Sequence, residues 1–530
     1  MNWSPFQLAI FDAIRNTSDS LIVEAVAGSG KTTTIVEAIR HVPEDQSIVF
    51  LAFNKSIADE LKRRVTQPNA QCKTLHALGF GAWRQYLAWD VGMLKVDGRK
   101  TRGIVDALLE DRNLDYHVWT QDMTRLVGLA KGRGIVPKGT ATGAFVGLVE
   151  DAEDTWDDLM EVYDVDPDNV DLDLVREVLR RGIAQAREVI DFDDMLYMPI
   201  IAGAEFDKAD VVFLDEAQDV NGIQAEIVSR MRHERTRVVA VGDPNQAIYG
   251  FRGALSDSMR QLEERFTCRP LPLSVSYRCP RLVVQEARRW VNHILAHEGA
   301  VDGLVTQAWD WRVEDFRPGD AVLCRNARPV VAMAFHLIRH KIAAMVVGRD
   351  IGQGLVKLVQ KMKANTIVDL DARLQKYRVR EVARAKGNEA KIGALDDKLD
   401  TIRVFMEEAG PHAGVGTLIA SIEALFGEQG ERRNVVVCST VHKAKGMEWD
   451  RVFVLDAELY MPSKWAKQAW EKQQERNLQY VAATRARREL RYISTEALQQ
   501  VGGAEDARSE AGRGEDCGVE HEGRHEGVGG

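Results

Sequence analysis

Cysteine is scarce in this sequence and is never spaced for metal binding. The chain has 530 residues and six cysteines, and no two of them form a C-x-x-C pair. Structural zinc sites and iron–sulfur clusters need closely spaced thiolates, so we expect neither. Scattered cysteines are typical of a reducing compartment, and we expect a cytoplasmic protein. The six residues are Cys72, Cys268, Cys279, Cys324, Cys438 and Cys517.

Long apolar runs are also missing. No run approaches the ~20 residues that a membrane-spanning helix needs, so we expect no membrane partner. Residues 1–6 have neither a basic head nor a long apolar segment, so we expect no signal peptide. Hydrophobic residues make up 45% of the chain and charged residues 28%, which indicates a soluble globular protein. A chain of 530 residues exceeds one hydrophobic core, and we expect three or four domains.

The net charge of −10 is unevenly distributed along the chain. Residues 150–173 contain 12 acidic residues and no Lys or Arg, and residues 503–530 contain eight acidic residues and three arginines. The rest of the chain therefore carries about +7. The overall charge thus does not exclude a nucleic-acid partner, but we do not expect the two acidic segments to face it.

A short apolar run, 21–23, leads into a glycine-rich turn and then into a helical pattern from Thr34. A strand, a glycine-rich turn and a helix in this order are the context of a phosphate-binding loop. The glycines let backbone N–H groups approach phosphate, and the helix N-terminus adds partial positive charge. We expect Lys31 to reach the β- and γ-phosphates and the Thr32 hydroxyl to bind Mg²⁺. The predicted phosphate-binding residues are Ala27, Gly28, Ser29, Gly30, Lys31, Thr32 and Thr33.

Two later strands end in polar residues that suit ATP hydrolysis. The apolar run 209–214 is followed by Asp215, which we expect to hold Mg²⁺, and by Glu216, which we expect to polarise the attacking water as general base. The run 237–241 leads to Gln246, which is placed to sense the γ-phosphate. A Gly/Ser turn before a helix, or a strand ending in Asp-Glu, is common by chance. The presence of both features in one chain favours a nucleotide-binding site.

Other polar residues follow strand ends, where ligands bind in open α/β sheets. Asn54 follows the apolar run 48–53, and His76 follows a second strand. Such positions suit a single-strand track, where bases stack on rings and phosphates meet polar groups, but loop caps are an equally good interpretation. Gln7, in a helix that opens at Ser4, has the donor and acceptor to read an adenine edge. Considered alone, Gln7 is more simply an ordinary helix residue.

The order of these motifs resembles one known family. Residues 215–219 (Asp-Glu-Ala-Gln-Asp) and 242–254 (Gly-Asp-Pro-Asn-Gln-Ala-Ile-Tyr-Gly-Phe-Arg-Gly-Ala) are similar to the UvrD/Rep family of superfamily 1 DNA helicases. The phosphate loop has that family's Ala-x-Ala-Gly-Ser-Gly-Lys-Thr form, which explains Ala25 where the general pattern has Gly. Residues 273–280 resemble the family's Asn-Tyr-Arg-Ser motif, with Ser in place of Asn and Cys in place of the last Ser. The family order continues with the blocks 321–326, 440–450 and 475–486.

The resemblance implies an α/β fold in which two RecA-like P-loop domains have parallel sheets and each carries a mainly helical insertion. The short second insertion is similar to that of compact relatives in phages and in the F-box DNA helicase group. The Gly-, Glu-, Arg- and His-rich tail predicts disorder. The expected ranges are 1–84 and 186–270 for the first RecA-like domain, 85–185 for its insertion, 271–350 and 431–500 for the second domain, 351–430 for its insertion, and 501–530 for the tail.

The resemblance also implies roles around the nucleotide. Arg278 and Arg485 match arginines that contact the γ-phosphate and neutralise charge in the transition state. Tyr277 matches a residue that stacks on adenine, opposite a Gln7 hydrogen bond, and Glu448 matches a ribose contact. The predicted catalytic set is therefore Lys31, Asp215, Glu216, Gln246, Arg278 and Arg485.

Nucleic-acid contacts form a second predicted set. Tyr249 and Phe251 alternate with small residues, so one ring is expected to face a base, and Phe251 stands where many relatives have Trp. His442 and Lys445 match DNA-contacting positions of their motif. The predicted DNA-binding residues are Phe53, Asn54, His76, Tyr249, Phe251, Arg252, His442 and Lys445.

Two stretches have competing interpretations. The aspartates Asp191, Asp193 and Asp194 lie in a stretch that resembles the family's Asp-Phe-Asp-Asp-Leu sequence, and a structural turn is favoured over a nuclease carboxylate pair. Residues 357–391 contain ten Lys or Arg and four acidic residues. These basic residues indicate either duplex DNA contact or a solvated charged face.

We therefore expect an ATP-dependent DNA helicase that uses ATP and Mg²⁺, moves 3′ to 5′ on single-stranded DNA and unwinds duplexes in repair, recombination or replication. Its expected partners are single-stranded DNA and single-strand/double-strand junctions, at the nucleoid of a bacterial or phage-infected cell. The alternative is a translocase that displaces proteins from DNA with little unwinding. The small second insertion favours this alternative. A helicase–nuclease would need a further folded domain, and a non-enzymatic DNA-binding protein would be expected to lack Glu216, Arg278 or Arg485.

Overall fold

A computed structural model of the chain describes residues 3–88, 94–113, 116–140, 148–163, 165, 167, 170–249, 257–308, 310–385, 387, 389–427 and 434–495. The predicted tail therefore lies outside the described residues. The chain forms two compact units. Unit 1 comprises Met1–Gly303, Val379–Ile392 and Met461–Arg488, and unit 2 comprises Leu304–Arg378, Gly393–Tyr460 and Glu489–Gly530.

A six-stranded parallel sheet organises unit 1. Its strand order is β3-β2-β6-β7-β1-β8, and short strands pair separately as β4 with β5 and β9 with β10. Because parallel strands end at the same edge, the loops after β1, β6 and β7 lie side by side. The strands are β1 (Leu21–Ala25), β2 (Ile48–Ala52), β3 (Ala70–Thr74), β4 (Lys95–Val96), β5 (Val189–Ile190), β6 (Val211–Leu214), β7 (Arg237–Gly242), β8 (Arg269–Leu273), β9 (Val275–Ser276) and β10 (Leu295–Ala296).

Helices pack on both faces of this sheet, because its central strands have apolar side chains on both faces and these are buried. The apolar residues of one face pack with α1, α2 and α3, and those of the other with α4, α9, α10 and α11. These helices, with the others of unit 1, are α1 (Pro5–Asn16), α2 (Lys31–Ile39), α3 (Lys55–Arg64), α4 (Leu75–Tyr86), α5 (Lys100–Asp111), α6 (Tyr116–Arg133), α7 (Glu153–Val162), α8 (Leu172–Gln185), α9 (Asp194–Ile201), α10 (Gly222–Arg230), α11 (Ser258–Phe266) and α12 (Arg281–Ala287).

Helix caps explain where several of these helices begin. The Ser4 hydroxyl accepts the Gln7 N–H at 3.3 Å, and the Gln7 side chain accepts the Ser4 N–H at 3.0 Å, which forms a capping box at α1. Asn54 caps α3, because its side-chain oxygen accepts the Ile57 N–H at 2.9 Å. The polar residue at the end of β2 therefore has a structural role of its own.

Helices α5 to α8 form a mainly helical insertion with its own apolar core. Trp156 is fully buried in this core, and its indole N–H donates to Asp151 at 2.7 Å. The Arg176 Nε lies 3.0 Å from the same Asp151 oxygen. The buried ring therefore packs in an apolar core while its single donor is satisfied.

Four buried charges join this insertion to helix α9. Lys131 lies 2.8 Å from an oxygen of Asp191 and 2.8 Å from an oxygen of Asp194, and Lys100 lies 2.6 Å from Asp194. Burial alone would raise the pKa of Asp191, but Lys131 and a hydrogen bond from Thr101 outweigh burial, and the pKa is lowered. Asp191 and Asp194 are thus held as ion-paired carboxylates, which supports the structural-turn interpretation of this stretch.

A second, seven-stranded sheet organises unit 2 in the order β11-β17-β16-β12-β15-β13-β14. The pairs β11–β17, β12–β15, β12–β16, β13–β14 and β13–β15 are parallel. The strands are β11 (Leu304–Ala308), β12 (Ala321–Cys324), β13 (Ala344–Val347), β14 (Phe426–Gly427), β15 (Val436–Thr440), β16 (Trp449–Leu455) and β17 (Ala486–Ile493). Two units with parallel sheets confirm the predicted α/β fold class.

Helices α14 to α17 are inserted between β13 and β14, so the second sheet also carries a mainly helical insertion. Their arginines are largely ion-paired: Arg373 lies 2.8 Å from Asp369, and Arg378 lies 2.7 Å from Asp396. This pairing favours the charged-face interpretation over duplex contact. None of the described helices is both long and apolar enough to span a membrane. The remaining helices of the chain are α13 (Ala327–Arg339), α14 (Arg349–Lys361), α15 (Ile367–Arg384), α16 (Glu389–Ala409), α17 (Val415–Leu425), α18 (Val441–Ala444), α19 (Ala457–Tyr460) and α20 (Ala469–Ala483), of which α20 belongs to unit 1.

Replacing Lys131 by Met leaves Asp191 and Asp194 with too little compensating charge. We expect the free energy of unfolding to fall by about 3–5 kcal/mol, because breaking a buried ion pair strands a charge in the interior. Urea denaturation followed by circular dichroism measures the change. The control is Lys138→Met, at an exposed lysine of the same insertion, which should cost less than about 0.5 kcal/mol. An equal loss in both variants would contradict the stabilising role of the buried cluster.

Candidate nucleotide-binding site

The loop between β1 and α2 has the backbone that the sequence predicts for phosphate binding. Gly28 and Gly30 both adopt left-handed conformations, with φ of 71° and 77°. A Cβ at Gly28 would lie 2.4 Å from the Cβ of Arg278, so only glycine fits there. The Ser29 hydroxyl is buried and has no hydrogen-bond partner among the described residues. A concave loop with an unsatisfied buried hydroxyl fits a phosphate ligand.

Helix α2 begins at Lys31, so the first-turn N–H groups at Thr32 and Thr33 point toward this loop. The Thr33 hydroxyl accepts a hydrogen bond from Arg64 at 3.1 Å. The Thr34 hydroxyl donates to the Gly30 carbonyl at 3.0 Å and fixes the turn from the helix side. The loop and the helix N-terminus are therefore one rigid element.

Lys31 faces the carboxylates that follow β6 and β7. Its Nζ lies 3.1 Å from Oε1 of Glu216. Burial alone would lower the pKa of Lys31, but Glu216, Asp215 and Asp243 outweigh burial, and the pKa is raised. Lys31 therefore keeps its charge in a buried site, as a phosphate-binding lysine requires.

The residues present also fit Mg²⁺. The Thr32 hydroxyl and the Asp215 carboxylate supply the hard oxygen ligands that this ion prefers, and a small protein ligand set leaves positions for phosphate and water. Burial and the neighbouring Glu216 raise the pKa of Asp215 to about 7. Burial also raises the pKa of Asp243. A cation beside these carboxylates would relieve the cost of burying them.

Two glutamines connect the carboxylate loops. Oε1 of the Gln218 side chain accepts the Asp243 backbone N–H at 2.9 Å, and Nε2 of the same side chain donates to the Glu216 carboxylate. Gln246 donates to Asp243 at 2.5 Å. The three carboxylates and the predicted γ-phosphate sensor are therefore held in one hydrogen-bonded network.

Arg485 reaches the same network from the end of helix α20. The side chain is fully buried, its Nε donates to the Val481 carbonyl at 2.9 Å, and its Nη2 lies 3.4 Å from Oε1 of Gln246. Burial and the nearby Arg278 lower the pKa of Arg485 to about 10, so it stays charged at neutral pH. Arg278 lies directly against Gly28. Both predicted arginines thus lie beside the phosphate loop within unit 1.

Gln7 and Tyr277 are in contact at the other end of the site. The Tyr277 hydroxyl donates to Oε1 of the Gln7 side chain at 3.0 Å, and Nε2 of the same side chain donates to the Thr34 hydroxyl at 2.9 Å. The Tyr277 ring packs against His297 with centroids 4.9 Å apart and borders an open cleft of about 850 Å³ that Trp3 also lines. Gln7 and Tyr277, which are both predicted to contact adenine, therefore lie together, and their roles toward adenine remain predictions.

The predicted DNA-binding residues are placed unevenly. In unit 1, Phe53 and Asn54 are exposed, and His76 and Tyr249 are half-buried; burial lowers the pKa of His76. Phe251 and Arg252 lie outside the described residues.

In unit 2, His442 lies in helix α18, and Lys445 and Glu448 lie in the segment between α18 and β16. Burial and nearby Arg325 lower the pKa of His442 to about 3, so the ring is neutral. The ribose role of Glu448 and all the DNA contacts remain predictions.

The structure adds four residues to the site that the sequence did not single out. Gln218 and Asp243 link the carboxylate loops, and Asn477 and Tyr480 connect α20 to two of the loops. All four are polar residues with low exposure. For Gln218 and Asp243 the available signal was their place in the polar segments directly after β6 and β7, at the sheet edge where ligands bind in open α/β folds.

Most of this chain matches known families of protein domains. Residues 7–267 match the UvrD/REP helicase N-terminal domain, and residues 357–497 match the UvrD-like helicase C-terminal domain. The chain belongs to the UvrD/REP helicase family. The family resemblance predicted from the motifs is thereby confirmed.

Individual relatives in this family are distant. The chain is 23% identical over 310 residues to the ATP-dependent DNA helicase PcrA of Leuconostoc citreum, in an alignment that covers 53% of this chain and 38% of the relative. It is 22% identical over 528 residues to F-box DNA helicase protein 1 of Schizosaccharomyces pombe, covering 91% of this chain and 56% of the relative. F-box DNA helicase 1 of Gallus gallus is 23% identical over 515 residues, covering 90% of this chain and 47% of the relative. The chain thus spans about half the length, or less, of these relatives.

Substituting Gly28 by Ala should abolish nucleotide binding. The new Cβ meets Arg278 at 2.4 Å, and the positive φ strains any L side chain. We expect affinity for a fluorescent ATP analogue to fall at least about 100-fold, which is roughly 3 kcal/mol, as measured by fluorescence titration.

Gly81→Ala is the matched control, since no atom lies within 4 Å of a Cβ built there and its φ is ordinary for a helix. It should bind the analogue as the wild type does and be slightly more stable. Unchanged binding in Gly28→Ala would show that the loop is not the phosphate site.

Proposed function

We propose that this protein is an ATP-dependent DNA helicase that moves 3′ to 5′ on single-stranded DNA and unwinds duplexes. The observation that carries the proposal is the joining of Lys31, Glu216, Gln246 and Arg485 in one partly buried network at the carboxyl edge of a parallel sheet. Lys31 is the cation that contacts the phosphates, and Glu216 is the general base. Gln246 is the γ-phosphate sensor and Arg485 the arginine finger, and together they supply the groups that phosphoryl transfer to water needs. Membership of the UvrD/REP helicase family supports DNA as the partner.

Each residue has a defined part in hydrolysis under this proposal. The loop N–H groups and Lys31 bind the phosphates, and Glu216 accepts the proton of the attacking water. Arg278 and Arg485 neutralise the charge that builds up on the transferred phosphoryl group. Thr32 and Asp215 hold Mg²⁺, which supplies a further positive charge to the phosphates.

Further parts of the proposal concern the rest of the chain. The domain ranges expected from the sequence stand as our proposed boundaries of the RecA-like domains. The proposed contacts to single-stranded DNA among the described residues are Phe53, Asn54, His76 and Tyr249 of unit 1, with His442 and Lys445 of unit 2. The exposed ring of Phe53 and the half-buried ring of Tyr249 suit stacking on bases, and the Lys445 ammonium group suits contact with phosphates.

A second candidate is a translocase that displaces proteins from DNA with little unwinding. The observation that favours it is the compact second insertion, which consists of four helices, α14 to α17, within the described residues. In that case ATP hydrolysis and movement are retained while strand separation is weak.

A strand-separation assay tests the proposal. Labelled duplexes with either a 3′ or a 5′ single-stranded tail are incubated with the protein, ATP and Mg²⁺. We expect unwinding of the 3′-tailed duplex alone, and no unwinding when Mg²⁺ is removed with a chelator. Strong DNA-stimulated ATP hydrolysis without unwinding would select the protein-displacing translocase, and no ATP hydrolysis would refute both candidates.

Variants link that activity to the site. Lys31→Ala should lose both hydrolysis and unwinding, whereas Lys138→Ala, at an exposed lysine outside the site, should keep both. Glu216→Gln should bind ATP but hydrolyse it about 10²–10⁴-fold more slowly, because the general base is lost. Near-normal hydrolysis by Glu216→Gln would contradict the assigned base.

A further inference from the structure

Helix α20 makes polar contacts with two separate loops of the nucleotide site. Asn477 donates to the Ala247 carbonyl at 2.9 Å, in the loop after β7. The Tyr480 hydroxyl accepts the Ala27 N–H at 2.8 Å, in the phosphate loop after β1. One helix therefore contacts both the loop that holds Gln246 and the loop that binds phosphate.

The Tyr480 contact lies entirely in the interior. Tyr480 and Ala27 are both fully buried. A buried N–H without a partner is costly, so the hydroxyl satisfies a donor that water cannot reach. Phenylalanine would fill nearly the same volume, and the apolar core therefore does not explain the hydroxyl. Burial and the nearby Asp243 raise the pKa of Tyr480 well above its usual value, so the hydroxyl stays protonated at neutral pH.

Tyr480 is adjacent to the residue that anchors Arg485. The Arg485 Nε donates to the carbonyl of Val481 at 2.9 Å. The contact from Arg485 to Gln246 is 3.4 Å long, at the weak end of hydrogen bonding. The guanidinium is therefore held by the last turn of α20, through the Val481 carbonyl and the Thr484 hydroxyl at 3.3 Å, as well as by Gln246.

We propose that Tyr480 is a positioning residue that seats helix α20 on the phosphate loop and thereby sets Arg485 for ATP hydrolysis. The inference rests on the proposed function and extends it to a residue outside the predicted catalytic set. Tyr480 acts through Arg485: its hydroxyl fixes the turn, the turn holds the guanidinium, and the guanidinium stabilises the transition state.

Tyr480→Phe removes the hydroxyl and leaves the ring in place. We expect kcat of DNA-stimulated ATP hydrolysis to fall about 10-fold, because an arginine that acts in the transition state is displaced. We expect KM for ATP to change less than about twofold, because the phosphate-binding groups remain. Steady-state kinetics with saturating single-stranded DNA measure both constants.

Tyr197→Phe is the matched control. Tyr197 is also fully buried, and its hydroxyl donates to the Ile135 carbonyl at 2.7 Å, away from the residues of the nucleotide site. This variant loses one buried hydrogen bond in the same unit, so thermal melting should show destabilisation like that of Tyr480→Phe while kcat stays at the wild-type value. A matching loss of kcat in both variants would assign the effect to general destabilisation and overturn the proposal.

A double-mutant cycle with Arg485→Ala tests the coupling. If Tyr480 acts through Arg485, adding Tyr480→Phe to Arg485→Ala should slow single-turnover hydrolysis less than about twofold. A full additional 10-fold loss would show that Tyr480 acts independently, and a raised KM at unchanged kcat would make it a ligand-binding residue. Either result overturns the proposal. A wild-type protein that hydrolyses no ATP would instead refute the proposed function.

Discussion

The burial of Lys31 together with three carboxylates is the constraint on which the nucleotide site depends. Asp215, Glu216 and Asp243 follow two neighbouring strands; burial raises the pKa of Asp215 and of Asp243, and burial alone would lower the pKa of Lys31. Lys31 offsets part of the cost of burying the carboxylates, and the carboxylates in turn keep Lys31 charged. The sheet order, which places β1 beside β7 and β7 beside β6, is what brings these four groups to one edge.

A comparison with the other buried charge cluster shows what marks a ligand site. Lys131 contacts Asp191 and Asp194, and Lys100 adds a second cation, so two positive charges meet two negative charges. The site at Lys31 has an excess of carboxylates and an unsatisfied Ser29 hydroxyl within the described residues. A balanced network stabilises a fold, whereas an unbalanced one is stabilised further when a ligand binds.

The fold class and the central residues of the site could be predicted because their signals are local. A strand, a glycine turn and a helix start lie within residues 21–34, and each carboxylate directly follows its strand. The contact between Ala27 and Tyr480 joins residues 453 positions apart, and no local pattern reports such a pairing. A tyrosine among apolar helix residues is typical of a core position, so only the three-dimensional structure distinguishes its hydroxyl contact from ordinary packing. At Asn54 the strand-end position left a ligand contact and a cap equally open, and the structure shows that the side-chain oxygen caps helix α3.

The Lys31–Glu216 ion pair gives the proposed hydrolysis a built-in order. A carboxylate held 3.1 Å from an ammonium group is a weak base, because proton uptake would break the pair. Phosphates that bind at the loop compete for the same ammonium group, and the carboxylate is then released toward the attacking water. The general base therefore gains strength only when the substrate is in place. Under the proposed function, the substrate that needs the base would thus activate it, and the contact of helix α20 with the phosphate loop would hold Arg485 beside the reacting phosphate.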